Sequence, residues 1–145
     1  MANSDNPRTG AEFERQVRTF FAGRGLLLEP NVAVSVGRTI RRPHRFDLGS
    51  VTPPVLVECK CHAWTESGNS PSAKLTVWNE AMLYFSLAPR KFRKLLVVQR
   101  SVRGSTSLAE HYVKRYEHLI PRGVELWEFD SVSGEGQCLH GRRTT

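Results

Sequence analysis

The stretch Val55-Leu56-Val57-Glu58-Cys59-Lys60-Cys61 places a charged pair inside the most strand-like segment of the chain. Its apolar and branched residues, preceded by Pro53-Pro54, predict a β-strand. Successive side chains alternate between the two faces of a strand. One face therefore carries Val55, Val57, Cys59 and Cys61, and the other carries Leu56, Glu58, Lys60 and then His62. Charged side chains in the middle of an apolar strand are costly unless something compensates them.

Two explanations fit this pair: a salt bridge on a solvent-facing edge of a sheet, or a site where the carboxylate holds a metal and the ammonium faces a phosphate. Asp47 favours the second. It lies in a short predicted strand, Arg45–Leu48, and the turn residues between Gly49 and Pro54 predict a hairpin that brings it beside Glu58. Hard divalent cations such as Mg²⁺ prefer oxygen ligands. Two carboxylates with Lys60 thus have the parts for metal-assisted attack on a phosphodiester.

The first predicted element is a helix that begins with the capping-box pattern of Thr9 and Glu12. Its apolar stripe consists of Phe13, Val17, Phe20 and Phe21, and glycines at 23 and 25 end it. Glu14 lies at the edge of this stripe, so its carboxylate can reach over the interior face of the domain.

The remaining periodicities predict an α/β fold with a mixed central sheet and flanking helices. The predicted order is helix, three strands, helix, strand, then a further helix and strand, with a fully covered strand at Leu95–Val98. We expect one domain over residues 9–130. Residues 131–145 are rich in Ser, Gly and Arg and are expected to form a flexible tail.

At these residues the chain resembles the PD-(D/E)XK, or restriction-endonuclease-like, nuclease superfamily. HRFDLGS (44–50) followed by VLVECKCHAW (55–64) resembles its signature, an Asp on one strand of a hairpin and Glu-x-Lys on the next. GAEFERQV (10–17) supplies Glu14 where many members carry a helical Glu. The resemblance covers roughly residues 9–100, and it departs from the motif at Phe46, which replaces the proline before the Asp.

The resemblance implies a core of the order αβββαβ, followed here by αβ, and a role for each matching residue. Asp47 and Glu58 would bind Mg²⁺ or Mn²⁺, the backbone carbonyl of Cys59 would complete the protein ligands, and Lys60 would be catalytic. Glu14 would be an accessory or second-metal ligand. The expected activity is that of a DNA endonuclease. The alternatives are a non-catalytic nucleic-acid-binding or assembly subunit that keeps the fold, and an unrelated α/β protein with a surface ion pair.

The charge of the chain points to the same kind of partner. Lys and Arg number 21 against 14 Asp and Glu among 145 residues, a net charge of +7 that favours a polyanion such as nucleic acid. Basic residues cluster just before Asp47: Arg38, Arg41, Arg42, His44 and Arg45. This segment could contact phosphates or could be an ordinary solvated loop. His62 is a candidate substrate contact, although a histidine at a strand end is more often a plain surface group.

Several other features have simpler explanations. Cys59 and Cys61 are expected to be buried core thiols rather than zinc ligands. Trp78 belongs to a helical apolar stripe, whereas Trp64 could stack on a base; Asn79 and Glu80 are expected to be solvated. The cysteine usage and the lack of a membrane span or signal peptide predict an intracellular protein. So small a nuclease is expected to work as a homodimer or as a subunit of a larger complex.

Overall fold

Residues 7–141 are described by a computed structural model, in which helices and strands alternate along the chain. Their bounds, in chain order, are α1 (Pro7–Ala22), β1 (Glu29–Val36), β2 (Arg42–Ser50), β3 (Val55–Lys60), α2 (Ser72–Leu87), β4 (Arg93–Gln99), β5 (Val102–Arg103), β6 (Thr106–Ser107), α3 (Leu108–Tyr116), a 3-10 turn (Glu117–Leu119), β7 (Val124–Asp130) and β8 (Glu135–His140).

A six-stranded sheet in the order β1-β2-β3-β4-β7-β8 forms the centre of the molecule. Strands β1, β2 and β3 pair antiparallel, β3, β4 and β7 pair parallel, and β8 returns antiparallel beside β7. The α/β class and the mixed sheet predicted from the sequence are confirmed. The short β5–β6 hairpin, which the sequence did not predict, pairs only with itself.

Helices cover both faces of this sheet. On one face α1 packs through Phe13, Val17 and Phe21 against Val57 and Leu95 of the sheet, within a larger buried cluster. On the other face, α2 and α3 pack over a second cluster that includes Leu56, Leu96, Trp78, Phe85 and Tyr112. The apolar run of β4 is buried on both sides, as predicted, because each face has its own helical layer.

The alternation predicted for β3 is confirmed by these two clusters. Val55, Val57, Cys59 and Cys61 belong to the cluster under α1, and Leu56 belongs to the cluster under α2. The two cysteines are buried in the core, as expected.

The first helix begins earlier than predicted, at Pro7 rather than after a cap at Thr9. Proline suits a first helical turn because its φ is already helical and its missing N–H would have had no partner there. A capping box is instead present at α3, where the Ser107 side chain accepts from the Glu110 amide and the Glu110 carboxylate accepts from the Ser107 amide.

The expectation of a flexible tail from residue 131 was wrong for Glu135–His140, which forms β8. The Ser and Gly residues that suggested a tail form a turn: Gly134 donates to the Asp130 carbonyl and adopts a φ of +77°, and the Asp130 carboxylate accepts from Val132. Glycine tolerates this left-handed conformation at no steric cost. Residues 142–145 of the predicted tail lie outside the described residues.

Among the helices within residues 7–141, none combines the length and the apolarity needed to cross a bilayer.

Replacing Leu96 with alanine tests the two-layer core. Leu96 is fully buried under α2, so Leu96→Ala should lower the free energy of unfolding by about 2–5 kcal/mol through lost burial and a residual cavity. Leu83→Ala is the matched control, because Leu83 is 57% exposed on α2 and its truncation should change stability by no more than about 0.5 kcal/mol. Urea unfolding measures the free energy of unfolding of both variants, and an equal loss of stability in the two would contradict this packing.

Candidate active site

Asp47 and Glu58 hold each other in place through an exchange of hydrogen bonds between β2 and β3. The Asp47 amide donates to Glu58 Oε1 at 3.2 Å, and the Cys59 amide donates to Asp47 Oδ2 at 2.8 Å. The β2–β3 register, in which Leu48 pairs with Val57, places Asp47 directly opposite Glu58. The predicted hairpin therefore brings the two carboxylates together as expected.

These hydrogen bonds form because the regular ladder stops at Asp47. The β2–β3 pairing covers only Leu48–Ser50 of β2. In the β1–β2 pairing, the position opposite Asp47 is Asn31, which has a φ of 58° and leaves the ladder. Phe46 packs under α2 but Leu48 packs under α1, so β2 also loses its alternation at this point. The backbone amides freed by this irregularity are satisfied by carboxylates.

Lys60 lies two residues beyond Glu58 on the same face of β3, and its Nζ is 3.9 Å from Glu58 Oε2. The side chain of Glu58 is only 8% exposed and that of Lys60 is 20% exposed. This burial does not fit the explanation that the pair is an ordinary salt bridge on a solvent-facing edge. A buried charge of this kind needs compensation beyond one contact at 3.9 Å.

Glu14 reaches the same place from the opposite layer of the molecule. It lies on α1, and burial together with the charge of Asp47 raises its pKa from 4.5 to about 7, although Lys60 acts in the other direction. Contacts therefore join Asp47, Glu58 and Lys60, and Glu14 lies within the range of their charges.

The cluster contains more acidic groups than basic ones. Burial and the neighbouring Asp47 raise the pKa of Glu58 to about 8, even though Lys60 lowers it. Burial likewise raises the pKa of Asp47 against the opposing effects of the Cys59 amide and Lys60. Three carboxyl groups face one ammonium, so a further cation would stabilise their ionised forms.

The donor set suits a hard divalent cation. The atoms on offer are carboxylate oxygens and the Cys59 carbonyl, which are the ligands that Mg²⁺ and Mn²⁺ prefer alongside water. Within residues 7–141, no three His, Cys, Asp or Glu side chains converge into a ready-made metal cage. An ion here would thus be held by Asp47, Glu58 and the Cys59 carbonyl, with Glu14 nearby and water completing the shell.

His44 belongs to this site, although the sequence placed it only in a basic segment. Its ring stacks on Tyr84 of α2 at 3.7 Å between centroids, and its Nε2 is buried 3.9 Å from Glu58 Oε1. Burial lowers the pKa of His44, although Asp47 and Glu80 act to raise it. Strand parity could have found it, since His44 shares a face with Phe46, but nothing in the sequence indicated that Tyr84 covers it.

The basic segment before Asp47 lies on the surface, partly on a strand. The four arginines Arg38, Arg41, Arg42 and Arg45 are exposed, and β2 already begins at Arg42, so only residues 37–41 form a loop. Arg41 donates to the carbonyls of Gly37 and Ser35, and Arg45 to that of Asn31, which fixes these side chains against their own hairpin.

His62 does not face a substrate, contrary to the prediction. It is buried, and its Nδ1 accepts a hydrogen bond of 2.9 Å from the Trp78 indole. The physical reason is that Trp78 is fully buried, as predicted, and its N–H needs an acceptor inside the core. Asn79 is half-buried rather than solvated, because its Oδ1 accepts from the Tyr112 hydroxyl at 2.7 Å.

No protein-family model matches the chain, and neither a curated protein nor a solved structure matches it at a significant level. What the chain does is therefore inferred from its residues and their geometry.

The raised pKa of Glu58 predicts how stability depends on pH. Between about 4.5 and about 8 the folded protein holds this proton while the unfolded chain, with an ordinary pKa of 4.5, releases it. The folded state then binds more protons, so stability falls as pH rises through this window and levels off above it. Urea unfolding at pH 5 and pH 8 measures this effect. Between these two pH values the free energy of unfolding should fall clearly less for Glu58→Gln than for the wild type.

Glu66→Gln is the control for this prediction, since Glu66 is an exposed carboxylate in the loop after β3. It should keep the pH dependence of the wild type. If Glu58→Gln also kept it, the carboxylate cluster would not be a source of electrostatic strain.

Proposed function

We propose that this protein is a metal-dependent nuclease with a restriction-endonuclease-like core, acting as a DNA endonuclease. The order and directions of the elements support the fold part of this proposal. Helix α1, the antiparallel β1–β2–β3, the crossover through α2 and the parallel β4 follow the αβββαβ order that the sequence resemblance implies.

The observation that carries the proposal is the clamp between Asp47 and Glu58, with Lys60 beside it. Each carboxylate accepts a backbone amide from the opposite strand, which holds both in fixed positions with their remaining oxygen atoms available. Fixed carboxylates with a nearby ammonium are what a phosphodiester hydrolase with a divalent ion requires.

Asp47, Glu58 and the Cys59 carbonyl would hold Mg²⁺ or Mn²⁺, and when bound the ion supplies Lewis acidity and a more acidic water. Lys60 projects from the same face as Glu58, where its ammonium offsets negative charge that develops on the phosphate oxygens. Water adds to phosphorus and the ester oxygen leaves, so hydrolysis gives one phosphomonoester and one alcohol. Glu14 lies at the border of the cluster, where its carboxylate can accept the proton that the attacking water loses.

The proposed substrate and assembly follow from the charge and size of the chain. A net charge of +7 and the exposed arginines before Asp47 favour a nucleic acid, and we propose DNA. Residues 7–141 of a single copy carry one such carboxylate cluster, so a homodimer or a larger complex would supply the second site needed to cut both strands. Size-exclusion chromatography with light scattering tests this, and a monomer at working concentration would contradict the homodimer.

Metal binding is the first test. Calorimetric titration should show Mn²⁺ binding by the wild type in the micromolar-to-millimolar range, which Asp47→Ala and Glu58→Ala each abolish by removing an anionic ligand. Lys60→Ala should bind Mn²⁺ at least as tightly, because it removes a competing positive charge. A wild type that binds no divalent ion would contradict the proposed enzyme.

Catalysis is the second test, with Mn²⁺ and plasmid, linear, branched and single-stranded DNA as substrates. Lys60→Ala should lower the cleavage rate by about a hundredfold or more, the usual effect of losing one group that stabilises transition-state charge. Lys91→Ala removes an exposed lysine before β4 and should cleave at the wild-type rate. Metal binding without any cleavage would favour the non-catalytic binding subunit, and equal activity of Lys60→Ala would contradict the role of Lys60.

A further inference from the structure

A second set of exposed cations surrounds His111, well away in sequence from the arginines before Asp47. Arg103, Lys114 and Arg115 are all exposed, and none has a carboxylate within ion-pair distance in residues 7–141. Two acidic residues lie near them in sequence: Glu110 is turned back to cap α3 through Ser107, and Glu117 pairs with His140 at 3.1 Å. We call these three cations the α3 basic surface.

The loop between β3 and α2 and the β5–β6 hairpin are joined beside this surface. Trp64 donates from its amide to Ser101 Oγ and from its indole to the Ser101 carbonyl, both at 3.1 Å. The Arg103 guanidinium lies 4.0 Å from the centroid of the Trp64 ring and also donates to the Gly68 carbonyl. The loop, the hairpin and the start of α3 therefore form one connected support for the cations.

The topology places this surface at the edge of the sheet that carries the candidate active site. Parallel strands β3 and β4 end at the same edge, at Lys60 and Gln99, and the loop and the hairpin leave from there. Antiparallel β2 begins at that edge, at Arg42. We call the arginines before Asp47 the β2 basic surface (Arg38, Arg41, Arg42 and Arg45). This surface thus lies on one side of β3, and the α3 basic surface lies on the other.

His111 lies in the positive electrostatic field of the α3 basic surface. Its ring lies 5.1 Å from that of Trp64, and its Nε2 is buried without a hydrogen-bond partner. Burial lowers the pKa of His111, and Arg103, Arg115 and Lys114 lower it further. Cations this close together favour a polyanion, because its phosphates remove their mutual repulsion.

We propose that the α3 basic surface is a second phosphate-binding surface, and that it and the β2 basic surface together hold duplex DNA across the candidate active site. This inference rests on the proposed function, since it assumes that the substrate lies over Glu58 and Lys60. Phosphate contacts of this kind position the duplex and carry no sequence information.

The spacing of the two surfaces favours a duplex over a single strand. Arg42 and Arg45 lie on β2, and Arg103 follows shortly after β4. These two strands are separated by two strand spacings, about 10 Å, and the side chains extend beyond that. The phosphate rows of B-DNA lie on either side of a major groove about 12 Å wide. A duplex presents two phosphate rows and can therefore contact both surfaces at once, whereas a single strand presents one row.

The test measures binding without cleavage. Fluorescence anisotropy in EDTA, at about 0.1 M salt, uses a labelled duplex of roughly 20 base pairs and a single strand of the same length. Lys114→Glu/Arg115→Glu should weaken duplex binding at least about tenfold and reduce the slope of log K against log salt by about 2, one unit for each lost phosphate contact. Both residues are exposed on α3, so their replacement leaves the Trp64 contacts intact.

Arg90→Glu/Lys91→Glu is the matched control, because it makes the same change in net charge at exposed positions before β4, at the opposite edge of the sheet. It should change duplex binding much less. If the two double variants weakened duplex binding equally, net charge alone would explain the loss, and the inference would be overturned. Wild-type affinity in Lys114→Glu/Arg115→Glu, or an equal loss for the single strand, would also overturn it.

The cleavage assay with Mn²⁺ is read separately from this binding assay. Duplex binding that depends on the α3 basic surface, together with absent cleavage, would contradict the proposed catalysis while supporting this binding surface. Cleavage that depends on Lys60 but not on Lys114 and Arg115 would contradict the surface and leave the catalytic proposal in place.

Discussion

The candidate site depends on one exchange of hydrogen bonds, in which Asp47 and Glu58 each accept a backbone amide across the β2–β3 pair. Backbone amides away from water need an acceptor, and here carboxylates take the place of carbonyls. The exchange stabilises the end of the ladder and brings two anions together that would otherwise separate. Burial raises the pKa of both carboxyl groups, so the fold holds their ionised forms at an electrostatic cost. Such a cost at one place in an otherwise well-packed sheet is typical of functional sites.

The parts of this arrangement that the sequence could predict were those that follow from periodicity. Parity along β3 placed Glu58 and Lys60 on one face and the cysteines on the other, and turn residues after Gly49 predicted the hairpin. Those properties are local, so a single stretch of chain determines them. The helical spacing of Glu14 predicted its direction, but its proximity to Asp47 depends on how α1 docks, which no local pattern encodes.

The predictions that failed concern contacts between residues far apart in sequence. His62 has the parity of a site residue, yet it satisfies the indole of Trp78 sixteen positions later. His44 looked like part of a basic loop, and only its stacking on Tyr84 shows that it borders Glu58. The Ser- and Gly-rich stretch after Asp130 has the composition of a tail, but those residues form the turn that leads into β8. The composition of a segment does not show which distant residues it contacts, and here those contacts determined the structure.

The docking of α1 against the sheet has a consequence for when the carboxylate cluster first exists. Glu14 is synthesised before Asp47 and Glu58, which follow more than thirty residues later, and β3 is fully flanked only after β4 is in place. Contacts between such distant segments form late in folding, since loop-closure entropy opposes them until the core collapses. A nascent or partly unfolded chain therefore lacks the assembled cluster. Whatever chemistry the cluster performs is confined to molecules that have completed both core layers.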